Sequence, residues 1–176
     1  MRALPAAPPP WRLRPAKPAD LPQLAALYAD AASRLGPACY TDAQVQAWAG
    51  FAADQAGFAD YVLQADTWVA EADRPSPAVS PGDARAGSSG LLGFSGLDTC
   101  GEVRSLYVRH DAMRCGLASL LLAQGLARAQ AQGIHHFAAW ATPFSLPVFR
   151  RAGFALVDRV QAPFAGTLFE RLRVAR

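Results

Sequence analysis

The residues Met113-Arg114-Cys115-Gly116-Leu117-Ala118-Ser119 combine features that suit a bound anion. They stand between a run that favours a strand and a Leu/Ala-rich run that favours a helix. A helix N-terminus presents several N–H groups with no partner inside the helix, and about half a positive charge from aligned peptide dipoles. Both suit phosphate. Gly116 and Ala118 add little bulk, so the backbone can approach a ligand closely. Arg114 adds a side-chain cation. Cys115 reads as a loop residue, with a reactive thiol as the other reading. The same seven residues also fit an ordinary strand-to-helix connection, which is the commoner feature.

The elements that must position this loop follow from composition and period. Val103, Leu106, Tyr107 and Val108 favour a strand over Glu102–Val108. Leu117, Leu120, Leu121, Leu122 and Leu126, spaced by alanines, give a helix a wide apolar face, and Gly133 stops it. Upstream, Trp11–Pro15 predicts a first strand. Asp20 caps the helix that follows or serves as its first-turn acid, and Leu21, Leu24, Leu27 and Tyr28 form the apolar stripe. Gly36–Tyr40 is a loop. Thr41-Asp42-Ala43-Gln44 has the spacing of a capping box, and in the next helix Val45 and Trp48 share a face with Phe51 at its edge. Tyr61–Leu63 ends a short helical stretch. Asp66–Ala72 alternates as a strand, with Trp68, Ala70 and Ala72 expected toward the core. Residues 73–90 are Pro, Ser, Gly and Ala with scattered charge and read as a flexible loop. Leu91–Leu97 is the partner strand, and Asp98–Gly101 turns the chain into Glu102. Beyond the long helix, Ile134–Ala141 predicts a strand opened by His135 and His136, and Ser145–Ala152 a short helix. Phe154–Val160 and Thr167–Val174 predict closing strands around Ala165-Gly166.

Several function classes fall away on composition. A net charge of +3, from 17 basic and 14 acidic residues evenly spread, is too mild for a nucleic-acid binder. Cys39, Cys100 and Cys115 are odd in number and unpatterned, which fits a reducing, cytoplasmic setting better than a disulfide framework or a metal site. Two adjacent His on a strand point to opposite faces, so His135 and His136 cannot share a metal. Met1–Pro10 reads as a flexible tail, neither signal peptide nor membrane span. Residues 11–176 make one domain by length, with 52% hydrophobic residues to pack it.

The stretch Leu106-Tyr107-Val108, a short polar segment, then Met113-Arg114-Cys115-Gly116-Leu117-Ala118 resembles the acetyl-coenzyme A site of the GNAT N-acetyltransferase superfamily. The family pattern there is Gln/Arg-x-x-Gly-x-Gly/Ala opening a helix. Gly116 and Ala118 fit it, and Met113 departs from it. Phe149-Arg150-Arg151-Ala152-Gly153-Phe154 matches a second family segment, aromatic-x-x-x-Gly-Phe, in the right order and at the right distance. The resemblance implies an α/β (α+β type) fold: a mixed, twisted, mostly antiparallel sheet of six to seven strands with about four helices. Its fourth and fifth strands splay apart to take the pantetheine arm. By position, the backbone of Leu106, Tyr107 and Val108 pairs with pantetheine, and the amides from Met113 to Ser119 surround the pyrophosphate. Phe149 packs beside the pantetheine end. The resemblance further implies that Tyr40, Trp48 and Phe51 border the acceptor, core packing being the other reading. It makes acetyl-CoA the co-substrate with no metal, and a homodimer through the C-terminal strands common among similar proteins.

The implied chemistry is attack of an amine on a thioester carbonyl, with an oxyanion formed and a thiolate leaving. An amine of pKa ~10.4 costs about 4.6 kcal/mol to deprotonate at pH 7. Similar proteins place a water-linked acid near Glu102, which makes Glu102 the candidate base. The other reading is a strand-end Glu paired with Arg104 or with solvent. Strand alternation sets Glu102 on the face of Arg104, Leu106 and Val108. Phe149 stands where many family members donate a proton from Tyr; a thiol of pKa ~8.5 is a fair leaving group without a positioned acid, and Thr142, Ser145, Tyr107 or water are the candidate substitutes. The acceptor, a small-molecule or peptide amine, is not named by the sequence. A non-catalytic acyl-CoA-binding module is the alternative function.

Overall fold

The computed structural model describes residues 11–72 and 90–176. Seven strands form one sheet: β1 (Trp11–Pro15), β2 (Asp66–Ala72), β3 (Leu91–Leu97), β4 (Glu102–Val108), β5 (Ala138–Ala141), β6 (Ala155–Phe164) and β7 (Thr167–Ala175). Their order is β1-β2-β3-β4-β5-β7-β6. Every neighbouring pair is antiparallel except β4 and β5. The helices are α1 (Leu21–Leu35), α2 (Asp42–Gly50), α3 (Gln55–Leu63), α4 (Leu117–Ala131) and α5 (Leu146–Arg151). That is five rather than about four. The addition is α3, a full helix capped by the Asp54 carboxylate accepting from the Gly57 N–H. The expected tail at 1–10 and nearly all of the expected loop at 73–90 lie outside the described residues.

Helices cover both faces of the sheet. Leu24, Tyr28, Trp48, Phe58 and Val62 from α1–α3 pack on Val69, Phe94 and Phe169. On the other face, Leu117, Leu121, Leu122 and Leu126 of α4, with Phe149 of α5, pack on Ala70, Leu92, Val103, Leu172 and Val174. This corrects the expectation for β2. Val69 and Ala70 point to opposite faces and both are fully buried, because neither face of a doubly covered strand is solvated. Leu120 instead lies off the apolar stripe of α4 and is exposed.

Capping chemistry sets the helix entries. Thr41 and Gln44 form the expected capping box at α2. Asp20 does not cap α1 with its side chain. Its carboxylate accepts from the Lys17 N–H and from both terminal nitrogens of Arg14, at 2.7 and 2.9 Å. Arg14 holds this carboxyl below its ordinary range and tethers α1 to the edge strand β1.

The feature that shapes the site lies in β4. Gly96 pairs with Ser105, but Leu97 pairs with Val103, so Arg104 is an extra residue on β4, a bulge. Bulges sharpen local twist and re-aim side chains. The parallel ladder to β5 holds only Glu102↔Ala138 and Val103↔Ala139 and ends at the bulge. The strands separate from there on. The bulge also corrects the expected alternation. Glu102, Arg104 and Tyr107 line a cavity on the α1 side, whereas Leu106 and Val108 pack toward α4. The Arg104 carbonyl accepts from the Tyr61 hydroxyl. Gly101 enters β4 at φ +86, and a Cβ there would stand 2.1 Å from the His136 carbonyl oxygen.

β5 is shorter than the predicted 134–141 strand. Residues 134–137 connect without strand pairing until Phe137 exchanges hydrogen bonds with Arg176, and His135 and His136 are exposed on that connection. The β6–β7 hairpin is longer than predicted, because its pairing runs to Phe164↔Thr167 at the tip, around Ala165 and Gly166, both at positive φ. Among the described residues no helix is long and apolar enough to cross a membrane.

Candidate active site

The opened β4–β5 gap is a slot of about 570 Å³. Its walls include Val103 to Val108 of β4, the turn Met113–Ser119 apart from Cys115, and Phe144, Ser145, Pro147, Val148 and Phe149 with Thr142 on the β5 side. Met113 donates to the His110 carbonyl at 3.4 Å. The N–H groups of Arg114 through Ser119 have no hydrogen-bond partner among the described residues, since the first helical bond of α4 runs from Leu120 to Gly116. Arg114 and Gly116 both adopt positive φ, +64 and +85. Alternation of this kind turns successive N–H groups toward one concavity, which suits an anion. Leu117, 1% exposed, pins the first turn of α4 into the core while its N–H stays free. The Cys115 thiol is exposed and donates to the Ala112 carbonyl.

Phe149 is 2% exposed, meets Phe154 edge-on at 5.2 Å and closes one wall of the slot. Of the substitutes for a missing tyrosine acid, Thr142 and Ser145 are tied to each other. The Thr142 N–H donates to Ser145 Oγ, and the Ser145 N–H to Thr142 Oγ1.

The slot runs into a second cavity of about 330 Å³. The two share Trp48, Val103, Arg104, Tyr107, Trp140 and Thr142. Tyr40 and Trp48 line the second cavity. Phe51 lines neither, because it packs behind, among Tyr28, Phe58, Tyr61 and Phe164. Tyr107 stacks on Phe94, and its hydroxyl accepts from Trp48 Nε1 at 3.3 Å. Burial raises the Tyr107, Tyr28 and Tyr61 phenols above their ordinary range, and pushes Tyr40 up to about 12. All four are therefore neutral hydroxyls at physiological pH.

Glu102 lines this cavity and not the slot. It is bound neither to Arg104 nor to solvent alone. Its Oε1 accepts from Arg173 Nη1 at 2.6 Å, and Oε2 has no donor among the described residues. Arg171 and Arg173 lie over the Trp140 ring at 5.0 and 4.9 Å. The sequence reading missed Tyr28, Tyr61, Trp140, Arg171 and Arg173. One signal was present: in Arg171-Leu172-Arg173-Val174 the arginines alternate with residues of the core, which sets both guanidiniums on the opposite face. No cluster of metal-ligating side chains occurs among the described residues.

The slot between the diverging parallel strands thus joins an N–H-lined turn at one end to an aromatic cavity at the other. A family model described as an acetyltransferase (GNAT) domain matches residues 84–173, just over half of the 176-residue chain. The chain belongs to the GNAT acetyltransferase family, and it is an acyltransferase. Among solved structures it is similar to a GCN5-related N-acetyltransferase from Rhodopseudomonas palustris, with 22% identity, a TM-score of 0.79 and 94% of each chain covered. It is also similar to the PaiA N-acetyltransferase of Thermoplasma acidophilum, solved with coenzyme A, at 14% identity and TM-score 0.72, covering 94% of this chain and 98% of that one. A phosphinothricin acetyltransferase from Sinorhizobium meliloti, solved with acetyl-CoA, matches at 22% identity and TM-score 0.63, covering 95% and 88%. Likeness at these identities establishes the fold. No curated protein matches the chain.

Proposed function

We propose that this protein moves the acetyl group of acetyl-CoA directly to a primary amine, within one catalytic domain spanning residues 11–176. The observation that carries this reading is the ladder between β4 and β5, which stops at Val103 and leaves a slot leading from the N–H-lined turn to the aromatic cavity. In this reading the N–H groups from Arg114 to Ser119 hold the pyrophosphate, with Met113 at the margin because its own N–H is already engaged. Leu106, Tyr107 and Val108 offer backbone groups to the pantetheine arm, and Phe149 gives it an apolar wall. Glu102 accepts a proton from the amine through water, using the carboxylate oxygen that Arg173 leaves free. Tyr107 is the candidate for returning a proton to the thiolate. Its phenol is neutral and lies where the two cavities meet. A cytoplasmic location is supported by three free, exposed cysteines, a state that reducing compartments maintain.

The test is release of free thiol from acetyl-CoA across a panel of small amines, beside a calorimetric titration of the cofactor alone. Amine-dependent release above hydrolysis is the expected result. Cofactor binding with no release for any amine would make the protein a binding module.

A further inference from the structure

Four charged side chains line the aromatic cavity: Glu102, Glu170, Arg104 and Arg171. Both carboxylates are already matched, Glu102 by Arg173 at 2.6 Å and Glu170 by Arg159 at 3.1 Å. No described carboxylate lies within ion-pair distance of Arg104 or Arg171. The lining holds two guanidiniums and two carboxylates, but both carboxylates are paired with arginines outside the lining, which leaves the charges of Arg104 and Arg171 unmatched. Neither hangs loosely. Arg171 lies over Trp140 at 5.0 Å, and Arg104, re-aimed by the bulge, lies over Tyr61 at 5.8 Å. Trp48, Phe164 and Phe169 add apolar wall. At about 330 Å³ the volume sits at the small end of ligand sites, which run from roughly 300 to 1,000 Å³.

We propose that the acceptor is a small primary amine bearing a carboxylate and an aromatic or apolar side group, with Arg104 and Arg171 receiving the carboxylate. This rests on the acetyl-transfer reading above. Guanidinium forks match carboxylate geometry. Two fixed cations also disfavour the ammonium form of the substrate and favour the neutral amine that attacks.

The experiment compares L-phenylalanine with 2-phenylethylamine, and L-leucine with 3-methylbutylamine, in thiol release from acetyl-CoA. Each pair differs only by the carboxylate. The acid-bearing member is expected to show kcat/KM about 10–100-fold higher, the worth of a hydrogen bond to a charged group. Arg171→Gln and Arg104→Gln should each lower that preference about tenfold, mainly through KM, and Arg171→Lys should recover part of it. Equal use of both members, preference for the decarboxylated amine, or a preference unmoved by either Gln substitution overturns the inference and leaves acetyl transfer standing. No release from any of the four amines or from the wider panel overturns both.

Discussion

Glu102→Gln is expected to lower kcat by about 10²–10⁴-fold at pH 7, the usual effect of removing a positioned base. The amide keeps the size of the side chain but cannot accept the amine's proton. Without the base, the reaction must wait for the neutral fraction of the amine. That fraction is small at pH 7 and grows tenfold per pH unit below the amine pKa. The deficit should therefore shrink steadily as pH rises toward about 10. Glu102 lines the aromatic cavity and not the slot, so acetyl-CoA affinity should stay the same. This separates the base from a structural role. If Glu102 only anchored Arg173, the loss would be independent of pH. Unchanged turnover on a working acceptor would remove Glu102 from the mechanism.

The second large effect is expected at Gly116. Its φ of +85 is costly for most side chains, and a Cβ built there meets nothing within 4 Å. Asn and Asp tolerate the left-handed region better than other residues. Gly116→Asn and Gly116→Asp therefore pay a similar backbone cost, but only Asp sets a negative charge against the pyrophosphate. Like charges so placed cost several kcal/mol. The Asp protein should bind acetyl-CoA about 100-fold more weakly than the Asn protein. Calorimetry measures both. Equal affinities for the two variants would mean that no diphosphate lies at this turn.

Much of this architecture was legible from residue types. Thr41 and Gln44 announced α2, and Gly133 ended α4, because capping is local chemistry. The turn at Gly116 was legible for the same reason. The β4 bulge was not, since no residue near Arg104 signals it, and it arises from register against Gly96 and Leu97 of another strand. Yet that bulge decides which side chains share a cavity. It puts Tyr107 beside Glu102 and sends Leu106 to the other face, reversing simple alternation. The face of β2 misled for a related reason. Alternation reports one solvated face, and β2 has none. Arg173 reaches Glu102 across a separation of 71 residues, a meeting that composition and spacing do not encode.

The decisive measurement is the structure of this chain crystallised with coenzyme A. The pyrophosphate is expected within hydrogen-bond distance of main-chain nitrogens between residues 114 and 119, and the thiol-bearing arm where β4 and β5 part after Val103. A cofactor bound elsewhere, or a β4–β5 ladder zipped shut beyond Val103, would contradict this expectation.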